Sequence, residues 1–507
     1  MILILDFGSQ YTQLIARKIR AKSVYSEIAP FNISPEQIRA YDNLEGIVLS
    51  GGPSSVYAEN APRVGKEVYD HGVPVLGICY GLQLTAFLLG GNVKPGVARE
   101  YGKADIQIKS TGGLLEEVEN GSTVWMSHGD LVESLPAEFE VLASTENCKY
   151  TAVRHTSRPI YGIQFHPEVH HSAYGNQVLH NFLFHVCKAK PAWKMSEQVE
   201  MMCGHIREQA AGRDVVCAVS GGVDSTVMAV LCRKALGEHL KCVFVDNGVL
   251  RHHEAQQVMD NFEQLGVPVK LVDAAQAFLS ELDGVDDPEK KRKIIGRKFI
   301  EILMAEIGAN DMLAQGTLYP DVIESVSTKG PSATIKTHHN RVKEVLELIE
   351  QGRVVEPLKE LFKDEVRELG AALGIPHDTL WRHPFPGPGL AIRVIGPVND
   401  ESLRILRQAD VIVVEEIRAA GLYDKIWQLF AVLLPVKSVG VMGDERSYEN
   451  VVAVRAVDSV DGMTADWSKI PYSVLGRISN RIINETRGVN RVVYDISSKP
   501  PSTIEWE

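Results

Sequence analysis

Short, uniformly apolar runs alternate with amphipathic stretches through much of the chain. Met1–Leu5, Gly46-Ile-Val-Leu-Ser50 and Val73-Pro-Val-Leu-Gly-Ile78 are too short for buried helices. They also lack the polar alternation of a strand with one wet face, so they read as strands covered on both sides, as in a parallel sheet. Helical periodicity follows at Tyr11–Arg20 and near Leu82–Leu89, and Ile160–Phe165 adds a later strand. Beyond a linker at Ala189–Lys194 the pattern restarts. A helix is expected near Ser196–Ala211, a strand at Val215–Val219, a turn at Ser220–Ser225, a helix near Thr226–Leu236 and a strand at Lys241–Val245. The run His383-Pro-Phe-Pro-Gly-Pro-Gly-Leu390 cannot continue a helix or a central strand. It leads into a block with a helix at Glu401–Ala420 and strands at Val436–Met442 and Val451–Val457. The expected fold class is α/β. Residues 1–188 and 189–382 each form a doubly wound, mostly parallel sheet, and 383–507 a smaller α+β domain.

Composition narrows the classes. The 507 residues, 45% hydrophobic and 23% charged, suit several globular domains and exclude a disordered or collagen-like chain. With 53 Lys+Arg against 65 Asp+Glu the net charge is −12, which argues against nucleic acid or an anionic membrane as the main partner. A local basic pocket for phosphates stays open. Cysteines at 79, 148, 187, 203, 217, 232 and 242 form no C-x-x-C pair, so reduced thiols in a cytoplasmic protein are expected. Gly72–Val93 carries no charge, but Gly77, Gly81, Gln83, Gly90 and Gly91 interrupt it. Strand–turn–helix suits it better than a membrane span. Asp6 comes too early for a signal peptide.

Two constellations carry chemistry. In the first, Gly77-Ile-Cys79-Tyr-Gly81 sits where a buried strand becomes a helix, the setting of a nucleophile elbow. Glycines allow the sharp turn, and the helix N-terminus favours a thiolate. A lone cysteine is more often a buried structural residue. Downstream, however, Phe165-His166-Pro167-Glu168 follows an apolar strand. Residues two apart in an extended segment point the same way, so Glu168 can orient His166 and His166 can take the Cys79 proton.

With Leu49-Ser-Gly-Gly-Pro-Ser54, Gly77–Gln83, Met126-Ser-His-Gly-Asp130 and Gln164–Glu168, the first block resembles the class I, triad-type glutamine amidotransferases. The resemblance implies that Cys79 attacks the side-chain amide of glutamine, releasing ammonia and leaving a thioester for hydrolysis. It places the oxyanion hole at the Gly52 and Tyr80 N–H groups. Gln83, Ser127, His128, Gly129 and Asp130 would hold the glutamine.

In the second constellation, Ser220-Gly221-Gly222-Val223-Asp224-Ser225 joins a strand to a helix. Successive N–H groups, a helix dipole and two hydroxyls make an anion cradle. Asp224 would repel a phosphate unless a cation lies between them, which implies Mg²⁺ held by Asp224. The Walker A pattern is missing. The loop resembles that of the ATP pyrophosphatases, which transfer AMP from ATP to a substrate oxygen. Asp246, just past the next strand, lies where such a fold places nucleotide contacts. Lys336, within Ile335-Lys-Thr-His-His-Asn340, reads as a lid residue reaching phosphate; an exposed polar loop is the alternative. Lys363 follows the same logic, against a plain solvated helix face. Adjacent His338 and His339 diverge in a strand and have no partner at metal-ligand spacing.

An ammonia source fused to an adenylylating domain predicts a glutamine- and ATP-dependent amination. Arg491–Glu507, His383–Leu390, Pro288–Gly296 and Ile335–Asn340 resemble the glutamine-hydrolysing GMP synthase family, in order along the whole chain. The resemblance implies XMP as acceptor, bound by Arg491, Lys499, Ile504 and Glu505, with Arg292 and Gln428 placed by similar surroundings. It also implies a homodimer formed through the third domain. Other enzymes with the same loop fit less well. NAD synthetases would not normally carry this tail, class II asparagine synthetases start from a cysteine, and tRNA thiolases want further reactive cysteines and a basic face. A binding protein with dead domains would not be expected to retain Cys79, His166, Glu168 and Asp224.

Overall fold

The structure, a computed structural model, describes residues 1–326, 343–442, 444–459, 462 and 464–507. Lys336 and the rest of Ile335–Asn340 lie outside the described residues. The chain divides into two compact units, one built chiefly from Met1–Glu197, the other from Gln198–Val322 with the described residues from 343 onward. Among the described residues no helix is long and apolar enough to cross a membrane.

The first unit is organised by an eight-stranded sheet. Ser26–Pro30, Ile2–Asp6, Gly46–Leu49, Val75–Ile78 and Ile160–Ile163 run parallel in that order. Ala152–His155, Phe139–Ser144 and Gln107–Ile108 extend the sheet antiparallel. Ile2, Leu3, Ile4 and Leu5 are all fully buried, which is why the run carries no polar alternate. Each such side chain contributes about 1.5–3 kcal/mol by leaving water. A separate antiparallel ribbon, not expected from the sequence, pairs Asn92–Asp105 with Thr123–Ser134. Its trace in the sequence is the buried alternation Val124, Met126, His128. This ribbon carries Ser127–Asp130.

In the second unit a five-stranded sheet is parallel throughout, in the order Val269–Asp273, Leu240–Asp246, Val215–Val219, Met312–Ala314, Val354–Val355. Strands after Val215–Val219 are laid first on one side of it and then on the other. That reversal opens a crevice at the carboxyl end of the central strand, the usual ligand position in such sheets. The turn at residues 220–222 occupies that end.

Gln428–Met442 and Glu445–Asp458 form a long antiparallel pair, to which Asp466–Trp467 adds antiparallel and Val489–Asp495 parallel. The first strand starts well before the expected Val436, because Leu429–Val432 is a buried run and the pairing shifts between Leu433 and Lys437, where Pro435 cannot donate. The helix Asp400–Ala419 packs on this pair through Leu403, Leu406 and Val413. Val216 and Val243 of the parallel sheet share one continuous core with Leu406, Leu429 and Val452. Residues expected in separate second and third domains are therefore packed together.

Candidate active site

The elbow is built by the absence of side chains. Cys79 links the strand Val75–Ile78 to the helix Tyr80–Leu88 at φ 52° and ψ −104°, a conformation L-residues rarely adopt. A Cβ on Gly77 would meet the Gly81 carbonyl oxygen at 2.5 Å, and one on Gly81 the Leu49 carbonyl oxygen at 2.3 Å. Both contacts are with backbone, so neither can give way cheaply. The G-x-C-x-G spacing is thus a packing requirement, and the main-chain bond from Cys79 N–H to Ile163 O, 2.7 Å, anchors the turn to the sheet.

His166 and Glu168 follow the carboxyl end of Ile160–Ile163, the parallel neighbour of the Val75–Ile78 strand that ends at Cys79. His166 Nδ1 lies 2.7 Å from Glu168 Oε1, with both residues almost fully buried. Burial disfavours the imidazolium, but the Glu168 carboxylate and the hydrogen bond with Cys79 outweigh it, so the His166 pKa is raised well above its ordinary value. The segment is a turn rather than the extended stretch the sequence reading assumed, yet it still brings the two side chains together. Gln164 Nε2 sits 3.6 Å from Cys79 Sγ, and the Ser127 carbonyl 3.7 Å from it. Gly51 admits the imidazole, since a Cβ there would stand 3.2 Å from His166 Cε1. Gly52 is packed against Tyr80: its hypothetical Cβ would meet Phe7 O at 2.8 Å and Tyr80 Cγ at 3.3 Å. Tyr80 opens the helix, so its N–H has no partner within that helix. Gln83 Nε2 donates to Asp130 O (2.9 Å), and the Tyr57 hydroxyl to Asp130 Oδ1 (2.9 Å).

In the second unit the helix Val223–Leu236 starts directly after Gly222, leaving its first N–H groups at the loop. Ser225 Oγ bonds the Ser220 hydroxyl (3.1 Å) and the Gly222 carbonyl (3.1 Å), closing the loop on itself. Gly221 has φ +70°, and a Cβ there would meet Val258 Cγ2 at 2.4 Å. Lys363 Nζ lies 2.6 Å from Asp224 Oδ2. Arg382 bonds the Gly221 carbonyl (3.3 Å) and pairs with buried Glu254. Asp246 ends its strand and accepts from Gly248 N–H (2.9 Å).

Five of the six residues expected to bind nucleotide monophosphate lie in or near the C-terminal tail. Glu505 is held by Arg393 (2.8 and 3.1 Å) and by Gln428 Nε2 (2.8 Å). Ile504 is buried, Arg292 Nη2 bonds the Glu507 carbonyl oxygen (2.5 Å), and Lys499 Nζ the Gly462 carbonyl (2.8 Å). Arg491 is exposed on the strand Val489–Asp495 opposite Val451.

Three family models match in succession: glutamine amidotransferase class-I over residues 3–186, NAD synthase over 194–317, and the GMP synthase C terminal domain over 415–506. A curated relative from Aquifex aeolicus (strain VF5), "GMP synthase [glutamine-hydrolyzing]", is 54% identical and covers 100% of this chain and 99% of its own. Proteins of the same name from Nitratidesulfovibrio vulgaris (strain DP4) and Brachyspira hyodysenteriae are 56% and 53% identical with the same coverage. The chain belongs to the glutamine-hydrolysing GMP synthases. A GMP synthase hydrolyses glutamine and aminates XMP to GMP, with ATP as co-substrate.

Several residues at this GMP synthase's sites escaped the sequence reading. Arg382 is one of the cations at the loop, and Arg393 is fully buried beneath Glu505. Neither sits in a motif. Their one visible trace is that both flank the proline-rich run at His383–Leu390, which a rigid connector would hold against a site. Gln164 precedes the His-Pro-Glu segment directly and could have been found by its position.

Proposed function

We propose that Cys79, His166 and Glu168 form the glutaminase centre of this GMP synthase, and that the loop Ser220–Ser225 binds the ATP that primes XMP. The observation carrying this reading is the buried chain of contacts from Glu168 through His166 to Cys79 on a glycine-built elbow. Cys79 Sγ attacks the glutamine side-chain carbonyl, and its proton passes to His166, whose charge Glu168 stabilises. Gly52 and Tyr80 N–H groups face the oxyanion, worth about 3–4 kcal/mol of barrier where such donors have been removed in other enzymes. His166 returns the proton to the departing ammonia, then draws one from the water that cleaves the thioester. Gln83, Ser127, His128, Gly129 and Asp130 frame the glutamine.

At the second centre the N–H groups of Gly221, Gly222 and Val223, with the hydroxyls of Ser220 and Ser225, hold the β- and γ-phosphates. The XMP carbonyl oxygen displaces pyrophosphate from the α-phosphorus; ammonia then adds at that carbon and AMP leaves. The donor set fits Mg²⁺, since one part-exposed carboxylate, Asp224, beside phosphate oxygens is a usual arrangement for it. Bound at Asp224, Mg²⁺ would neutralise the leaving pyrophosphate. Lys336, Lys363 and Asp246 add nucleotide contacts. Arg292, Gln428, Arg491, Lys499, Ile504 and Glu505 bind XMP, the cations facing its phosphate.

We assign the chain three functional domains, 1–188, 189–382 and 383–507, and a homodimer through the last. Val441 is 77% exposed, and Val439 and Tyr448, opposite each other in register, are 46% and 66% exposed, an apolar face suited to a second copy. Seven free cysteines suit the cytoplasm. One assay tests the division of labour. Cys79→Ala should lose glutamine-dependent GMP formation but keep the ammonium-supported reaction, and Asp224→Asn should lose both. An Asp224→Asn enzyme that still releases pyrophosphate would overturn the second assignment; a Cys79→Ala enzyme dead with ammonium would overturn the first.

A further inference from the structure

Behind the glutamine-binding segment three side chains of different chemistry converge without a shared proton to satisfy them. Glu100 of the strand Asn92–Asp105 pairs in register with His128 of Thr123–Ser134, and Cys148 enters from the loop between the strands Phe139–Ser144 and Ala152–His155. One ligand atom from each, Glu100 carboxylate oxygen, His128 ring nitrogen and Cys148 Sγ, falls within 4.8 Å of the others. His128 and Cys148 are only 7% and 4% exposed.

The hydrogen bonds around them leave one orientation. His128 Nδ1 faces the Asp130 carbonyl at 2.9 Å, a pure acceptor, so this nitrogen carries the proton. In the neutral ring Nε2 is then a bare lone pair, and it points at Glu100 Oε2, 3.2 Å away. Neither atom makes a hydrogen bond in the structure, although both are buried. Glu100 is itself fixed, its other oxygen accepting from Thr145 Oγ1 (3.1 Å), which also receives the Cys148 N–H (3.1 Å). A histidine locked through one nitrogen to a backbone carbonyl, with the other aimed at a carboxylate and a thiol nearby, is the arrangement of metal-ligating histidines. In a tetrahedral site with ligand bonds near 2.0–2.2 Å, adjacent N and O ligands lie roughly 3.4 Å apart. The observed separation is already close to that.

We propose that Glu100, His128 and Cys148 form a binding site for a borderline-soft divalent cation of the Zn²⁺ class, with a fourth position left open. A thiolate, an imidazole and one carboxylate favour Zn²⁺ over Mg²⁺ or Ca²⁺, which want oxygen donors. Its histidine belongs to the segment that frames the glutamine, between Ser127 and Asp130, whose carbonyls face Cys79 and Gln83. A cysteine ligates as the thiolate, so binding releases a proton and is tighter at higher pH.

The experiment uses the full chain carrying Cys79→Ala, so that the nucleophile cannot supply a competing thiolate. Zn²⁺ is titrated against a chromophoric chelator at two pH values, and Co²⁺ is added separately to read the near-ultraviolet thiolate-to-metal band. One ion per chain, tighter at the higher pH, with a thiolate band that vanishes in the Cys79→Ala/Cys148→Ser and weakens at least about tenfold in affinity in the Cys79→Ala/Glu100→Gln protein, is the expected result. Circular dichroism and limited proteolysis of each variant, set against Cys79→Ala alone, report that the first unit has folded. Unchanged Zn²⁺ affinity in both double variants, or the lack of a thiolate band in the parent, overturns the proposal and leaves Glu100 and His128 as a buried ion pair. Because the glutaminase nucleophile is already removed, failure here is independent of the catalytic reading.

Discussion

Lys363 Nζ rests 2.6 Å from Asp224 Oδ2, so the carboxylate at the start of the helix Val223–Leu236 faces a protein cation. The pair is half-exposed, with side chains 42% and 31% accessible, and contributes no more than about 1 kcal/mol to stability. On the proposed reading, its importance is to the nucleotide. Lys363→Met should leave the thermal midpoint within a few degrees and glutamine hydrolysis intact, while raising the KM for ATP about tenfold or more. An unchanged KM would reduce the pair to a surface ion pair.

Two glycine-to-alanine substitutions should move stability in opposite directions. At Gly81 the new methyl would lie 2.3 Å from the Leu49 carbonyl oxygen, so Gly81→Ala should cost about 2–4 kcal/mol and displace the thiol. Gly476 lies inside the helix Tyr472–Glu485 with open space around it, and Gly476→Ala should stabilise by about 0.5–1 kcal/mol. Denaturant unfolding of the two variants reads both signs.

His383 predicts an acid-sensitive fold. Burial lowers its pKa to about 4, and its ring stacks on Tyr423 with Nε2 against the Tyr423 carbonyl (2.9 Å). The unfolded chain takes up this proton near 6.5, the folded chain only near 4, so stability falls as pH drops through that window. The loss should approach about 2 kcal/mol, and it should be absent from His383→Gln. Unfolding free energies at pH 7 and pH 5 for both proteins check it.

Glu505 balances a guanidinium that has no access to water. Arg393 is fully buried, with Phe430 beneath it at 4.0 Å. Glu505→Ala should destabilise the second unit by about 3–5 kcal/mol, because it strands that charge. Glu505→Gln, which retains one acceptor, should cost less and instead raise the KM for XMP. Glutaminase activity should not change in either, and a coupled assay of the three substrates separates these effects.

The parts of this molecule that the sequence disclosed are those where local chemistry decides the structure. Met1–Leu5 and Val215–Val219 are buried on both faces, so their composition alone marked them as central strands. Cys79 was visible because a turn this tight admits only glycine at positions 77 and 81. What stayed hidden depends on distant pairing. The ribbon Asn92–Asp105 with Thr123–Ser134 is specified by contacts between segments some thirty residues apart, and neither strand is uniformly apolar. Arg382 and Arg393 gain their roles from Glu254 and Glu505, more than a hundred residues away in each case. Arg491, by contrast, belongs to a legible motif and stands exposed on its strand.

Between the Leu49 carbonyl and the Gly81 α-carbon there is no space for a single methyl group. The Cys79 sulfur is consequently aimed by main-chain contacts rather than by a mould of neighbouring side chains. Ordinary hydrophobic drift in the surrounding core can make the protein more or less robust without redirecting that sulfur, whereas one added carbon at the elbow displaces it.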